Sequence, residues 1–515
     1  MAWPLSWPAL RDTLGARHID PRQQQPFTLV APLLRAALVL GAAGGFVLAS
    51  VLSLSLALQA PLGPWWMALA QAHGRLQVFG WAGLFVLGVA FHFLPRLRGA
   101  PLRWPWAVPW ILVAQVAGLV LRGLSQPLLA LAPGTTLWQA ALVLSGVLEA
   151  VGLGLAVVVL VGTATQPGAP ALRARPALWS VWPFLICVGS SLALGALVNL
   201  VNVWQAAAGV GIIPAVGDDA SVTLGLLGFL TPMALAMSAR ALPLYAGLES
   251  ISRRILWPTA FAYIAGLALT LAGILGESGG PWAGESATRV GGAGQALLGL
   301  TLIGFIALVA RLMAARGRLP NRVRELAPAP EKAAHAYVRH ISDERARFGP
   351  YVALIASAYI WAFIGGALLL VDGAAVALGG FAPITLDAAR HSLAVGFIAL
   401  LLGGVATRMI PGFSGGSIAT PRLVTALLWL GNSAALLRVG SLVIAPALAA
   451  AGSGGAMLDS ALFGRSGPIG LAYAICRAIT LWPALPLKPR AASPEKRAGQ
   501  APAEETEVKG AQLAR

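Results

Sequence analysis

The sequence predicts an all-α polytopic membrane protein of about 12 transmembrane helices, in three tandem four-helix repeats with both termini cytoplasmic. Three observations carry this: an apolar composition, long recurring apolar runs and a one-sided distribution of basic residues. Apolar residues make up 57% of the 515-residue chain and charged residues 11%, with a mean hydropathy of +0.77. A soluble domain carries about a quarter charged residues. The runs suit helices of ~20 residues crossing ~30 Å of hydrocarbon, not the alternating segments of a barrel.

Taken in order, the expected spans are 32–58, 76–95, 105–125, 138–163, 179–202, 221–243, 255–275, 291–312, 351–371, 388–410, 423–447 and 467–486. Residues 1–31 form a cytoplasmic arm, too polar and proline-rich for a secretory signal. Repeat 1 covers 32–163, repeat 2 covers 179–312 and repeat 3 covers 351–486, with a basic cytoplasmic loop at 313–350. The tail 487–515, rich in Pro, Ala, Glu and Lys, has the composition of a disordered segment.

The net charge of +17 is a topology signal. Loops 96–104, 164–178, 244–254, 313–350 and 411–422 hold 16 Lys/Arg, and the two terminal segments add nine. The opposite loops hold only Arg75, Arg289 and Arg465. This positive-inside asymmetry expects a multi-pass protein of the cell (inner) membrane, with some attraction to anionic lipid, and argues against nucleic-acid binding. Cys187 and Cys476 fall in different spans and no CxxC or CxxCH occurs, which excludes a disulfide framework, a thiolate-clustered metal and covalent c-type haem.

One segment recurs. GWAGLFVLGVAFHFLPRLRG from Gly80, GFLTPMALAMSARALPLYAG from Gly228 and GFIALLLGGVATRMIPGFSG from Gly396 share a glycine, a His/Arg, a proline (Pro95, Pro243, Pro411) and a closing glycine (Gly99, Gly247, Gly415). Arg122, Thr270 and Arg438 each follow their proline by 27 residues. The copies start 148 and 168 residues apart, room for four helices each. The proline is expected to mark the helix stop and the glycine the turn. His92, Arg240 and Arg408 are expected to anchor the cytoplasmic interface.

His73 and His92 are 19 residues apart, roughly 28 Å along a helix, and belong to opposite faces. The other histidine near the outer face is His391, at the opening of the tenth span. His73 and His391 are a candidate axial pair for one haem iron, or else interfacial histidines bonded to loops. Arg122 and Arg438 are candidate propionate partners, or else pair with Glu149, Asp387 or carbonyl groups. Arg75 and Arg390, beside the histidines, are further propionate candidates or interface markers. Asp218, Asp219 and Asp387 read as helix caps. Glu149 reads as a proton-path residue or a partner of Arg122. Asn199, Asn202 and Gln205 read as interface polar groups. His335 and His340 read as part of a solvated or lipid-surface helix, and His18 carries no assignment.

AHGRLQVFG at 72–80 and ARHSLAVGF…ATRMIPGFSGG at 389–416 resemble the stretches HxHE…FG and ARHxLxVGxxG…TR…G of the NnrS family, haem- and copper-containing membrane proteins tied to nitric-oxide stress. The twelve-helix plan is similar to the haem–copper oxidase catalytic subunit. That resemblance implies low-spin haem b ligated from helices two and ten, the helices of His73 and His391. It also implies a gas ligand such as nitric oxide and a redox partner. Copper is weakened by Arg75 and Leu76 standing where HxHE has His and Glu. With no histidine in the sixth and seventh spans, oxidase or nitric-oxide reductase activity is disfavoured. The alternative function is a cofactor-free multi-pass transporter or channel, with Arg122, Arg438 and Glu149 lining an anion path.

Overall fold

The computed structural model describes residues 26–487 except 246, 278, 280–282, 319–323, 325–328 and 452–454. The arm 1–31, apart from its end, the tail 487–515, apart from Leu487, and His18 lie outside the described residues. Among the described residues, all regular structure is helical.

Among the described residues, eleven helices are long and apolar enough to cross a membrane: α1 Phe27–Ala57, α2 Pro64–Arg98, α3 Ala107–Leu131, α4 Thr136–Ala164, α5 Trp182–Ala208, α6 Ala215–Pro243, α7 Arg253–Gly276, α8 Glu285–Ala314, α9 Tyr351–Ala377, α10 Leu386–Ser414 and α11 Pro421–Leu448. α12, Gly455–Leu481, is as long as several of these but carries Asp459, Arg465 and Arg477. The surface helix Pro330–Phe348 lies between α8 and α9.

Burial sorts the helices. The apolar windows of α2, α6 and α10 are 72, 78 and 72% buried, against 33–50% for the other eight. These three form the centre. The others turn apolar side chains outward, such as Val151, Ile186, Trp204 and Ile360, as a lipid-facing helix does. The three central helices are also those that carry the recurring segment.

Each central helix contains a π-helical stretch at the same place: Leu76–Gly83, Thr223–Leu230 and Ser392–Ala399. Gly80, Gly228 and Gly396 lie inside these stretches, and the three stretches contact one another. A π turn loosens the regular i→i−4 ladder and is common at functional sites. α1 has its own π stretch, Leu40–Phe46. Gly41 and Gly45 there lie against Trp81 and Gln77 of α2, and a Cβ at either position would meet those side chains.

At the C-terminal ends of the three central helices the expected turn is found, with one correction. Gly99, Gly247 and Gly415 have φ of 70°, 67° and 67°, the left-handed conformation that favours glycine. The prolines do not stop the helices. Pro95, Pro243 and Pro411 sit within the last helical turns, which run on to Arg98, Tyr245 and Ser414. The stop is the left-handed glycine, whose amide in the first copy donates back to Pro95 O at 2.8 Å.

Several expected boundaries also move, and one of them bears on the site. α2 begins at Pro64 rather than near 76, so His73 and Arg75 sit inside a helix, as His391 does in α10, which begins at Leu386. Hydropathy alone reads the polar segment around His73 and Arg75 as loop.

Candidate functional site

His73 and His391 come from α2 and α10, and the bundle brings them together. His391, Arg438 and Asp387 all lie within electrostatic reach of the His73 imidazole. His73 Nδ1–H donates to Gly45 O at 2.8 Å, a carbonyl in the π stretch of α1. His391 Nδ1–H faces Asp387 O at 2.9 Å and Asp387 Oδ1 at 3.2 Å. Those oxygens only accept, so Nδ1 carries the proton in both rings. Nε2 is then the bare nitrogen in each, without a hydrogen-bonding partner among the described residues.

Asp387 is a hub rather than a cap. Arg438 Nη2 donates to its Oδ2 at 2.6 Å, and the helix start at Thr385 has no side-chain cap bond. Arg438 also lies over the Phe463 ring at 4.6 Å. Asp219 likewise pairs with Arg390 Nη1 at 2.8 Å, and Asp218 lies in the first turn of α6 without capping it. For Asp387 and Asp219 the capping expectation fails because each carboxylate meets a guanidinium from another helix, a stronger partner than a backbone amide.

The four candidate arginines separate into two groups. Arg438 stands with the histidines. Arg75 pairs with Glu149, Nε to Oε2 at 2.6 Å, lies 3.7 Å from the Phe79 ring centre, and reaches Ser221 Oγ at 3.4 Å. Glu149 is therefore held by Arg75, not bonded to Arg122. Arg122 is 1% exposed and lies with Glu149, Arg75 and Asp218. Gln71, Gln115 and Gln126 extend this polar region: Gln126 donates to Gln71 Oε1, and Gln115 to Glu149 O. Of the predicted interface polar groups on α5, Asn199 and Asn202 are buried, and Asn202 donates to Gly217 O at 2.7 Å. Gln205 is exposed.

His92 does not reach the interface. It is 4% exposed, packed against Phe27 and Phe413 at ring distances of 5.2 and 4.5 Å. The imidazole is too short to leave the aromatic packing, whereas Arg408 reaches Glu344 of the surface helix at 2.7 Å. That helix also carries His335 and His340, both exposed.

One residue escaped the sequence reading. Arg477 of α12 is fully buried, its guanidinium 4.9 and 4.6 Å from the Trp81 and Phe85 rings of α2, and none of its three nitrogens has a hydrogen-bonding partner. The signal was available: it is a charge inside an expected span, like Arg122 and Arg438. Among the described residues no three His, Cys, Asp or Glu side chains gather as a metal-holding group. Cys187 and Cys476 are both buried and free.

No protein-family profile and no curated protein matches the chain. Among solved structures it is similar to a haem–copper terminal oxidase, seen by cryo-EM as a dimer. The TM-score is 0.57 at 15% identity, over 90% of this chain and 84% of that one. The chain thus shares the fold of that oxidase.

Proposed function

We propose that this membrane protein binds one b-type haem through His73 and His391, and that it handles or senses nitric oxide or a related respiratory stress. The observation that carries the haem is the paired tautomer: two histidines on α2 and α10, each with Nδ1 anchored on an oxygen and Nε2 bare. An axial ligand has this form, with the second nitrogen fixed by a hydrogen bond. The orphaned Arg477, beside α2, supports the reading further, since a buried guanidinium calls for a polar group not supplied by the chain. The donor set therefore fits the group. Bound haem would supply one-electron chemistry and a site for a diatomic gas.

In this reading His73 and His391 hold the iron, and Asp387 orients His391. Arg438, beside them, is the nearer of the two propionate candidates. Arg122, Arg75 and Arg390 are the further candidates, Arg75 paired with Glu149 and Arg390 with Asp219. Copper has no ligand set in this proposal. The gas and redox role comes from the resemblance of the two histidine segments. The matching π stretches and left-handed glycines support three tandem repeats, and the basic loops support cytoplasmic termini in a cell membrane.

The test is an oxidised and reduced spectrum of detergent-purified protein, expressed with ample haem. A low-spin spectrum lost or altered in both His73→Ala and His391→Ala is expected. Colourless protein would leave the cofactor-free transporter as the reading. Sensitivity at one histidine alone would indicate a five-coordinate iron with a face open to nitric oxide.

A further inference from the structure

Three ion pairs form in the outer half, and Arg122 and Asp218 stand outside them. Arg75 takes Glu149, Arg390 takes Asp219 and Arg438 takes Asp387. Arg122 is 1% exposed, and its Nε and Nη1 make no hydrogen bond. Asp218, the remaining acid, is half-buried and lies within electrostatic reach of both Arg390 and Arg122.

Further unpaired donors belong to the same region. Arg75 Nη2 is buried without a partner, and so is Ser125 Oγ, one turn along α3 on the face of Arg122. Against these, Glu149 Oε1 is an unpaired acceptor, suited to a water. Arg122 Nε and Nη1 and Arg75 Nη2 are thus buried cationic donors without an acceptor. A buried donor left without an acceptor is costly, and a small anion between the two guanidinium groups supplies the missing hydrogen bonds.

We propose that Arg122 is the centre of a buried site for a small monovalent inorganic anion, with Arg75 Nη2 and Ser125 Oγ as the accompanying donors. A halide or nitrite has the required charge and accepts hydrogen bonds. The same guanidinium chemistry also suits a carboxylate of a prosthetic group, and the experiment separates the two sources. The proposal does not depend on haem at the histidines.

The experiment is thermal unfolding of the full chain in detergent, at constant ionic strength. Gluconate, a bulky organic anion, is replaced stepwise by chloride or nitrite. The melting temperature is expected to rise with the logarithm of anion concentration above half-saturation. Arg122→Met, which removes the orphan charge, is expected to fold and to show no anion dependence. Ser125→Ala is the milder variant, with half-saturation moved roughly 2–10-fold higher. Bromide in place of chloride should give an anomalous diffraction peak beside Arg122. An anion-independent wild type, or an equal response in Arg122→Met, overturns the proposal. If the wild type is anion-independent and Arg122→Met loses haem, the free anion is overturned and the site belongs to a bound carboxylate.

Discussion

Arg438 donates to Asp387 at 2.6 Å while the other oxygen of the same carboxylate stands 3.2 Å from His391 Nδ1. One side chain on α10 therefore fixes both the ring orientation of a proposed iron ligand and the position of a cation on α11. Hydropathy gives no hint of this arrangement, because the carboxylate cancels one charge and orients a second group.

Asp387→Asn keeps the shape and removes the charge. His391 retains the backbone carbonyl of residue 387 as a partner, so the low-spin spectrum should persist. The imidazole becomes less electron-rich, which should raise the haem midpoint potential, and haem affinity should fall roughly 10–100-fold. Redox titration and the rate of haem loss check both. An unchanged potential would remove Asp387 from the haem environment.

Arg477→Met should act in opposite directions on the two forms. Without haem, exchanging an unpaired buried cation for an apolar chain of similar length should stabilise by about 1–4 kcal/mol. With haem bound, the variant should lose the cofactor faster than wild type. Thermal unfolding of both forms and a haem-loss assay decide it. A variant equally destabilised in both forms would show that the stacking on Trp81 and Phe85 is the role of Arg477.

The closing glycines predict unequal costs. At Gly415 an added Cβ meets nothing, so Gly415→Ala carries only the left-handed backbone penalty, about 1–2 kcal/mol. At Gly99 the same Cβ would meet the Arg175 guanidinium, which donates to Leu97 O and Arg98 O. Gly99→Ala should therefore cost more than Gly415→Ala in thermal unfolding, and equal costs would contradict the packing at the first turn.

The surface helix should undock in alkali. Tyr337 donates to Gly247 O at 2.6 Å, and burial, reinforced by Glu344 and opposed by Arg316, pushes its hydroxyl up to about 12. A raised pKa means that docking is fully favoured below the ordinary tyrosine value of about 10 and weakens as pH climbs from there through about 12. Hydrogen exchange over 330–348 should rise in that window for the wild type. Tyr337→Phe should show faster exchange already at neutral pH and a smaller alkaline change.

Much of the plan was legible in one dimension. Long apolar runs mark helices because an unpaired backbone is too costly in hydrocarbon, and the runs led to the right helices. The recurring segment picked out α2, α6 and α10, the three most buried helices, whose glycine-bearing π stretches meet one another. What failed was local. The segment around Asp387 looked like a capped helix start, and the one around His73 looked like loop. Hydropathy averages a residue over its neighbours along the chain, whereas burial depends on neighbours from other helices.

By itself, then, the sequence determined the solvent, the all-helical class and most of the spans, and it offered two candidate histidines. All of these follow from interactions within one helix or between a helix and lipid. Only the tertiary structure decided that Arg75 holds Glu149, that Arg438 joins His391 through Asp387, and that Arg122 and Arg477 remain buried without hydrogen-bonding partners on the nitrogens named above. Those outcomes depend on which side chains meet across 50 to 450 residues of chain, as the Arg438–Asp387 and Arg35–Leu485 contacts do. In a medium of low dielectric, the pairing of a charge matters more than its presence.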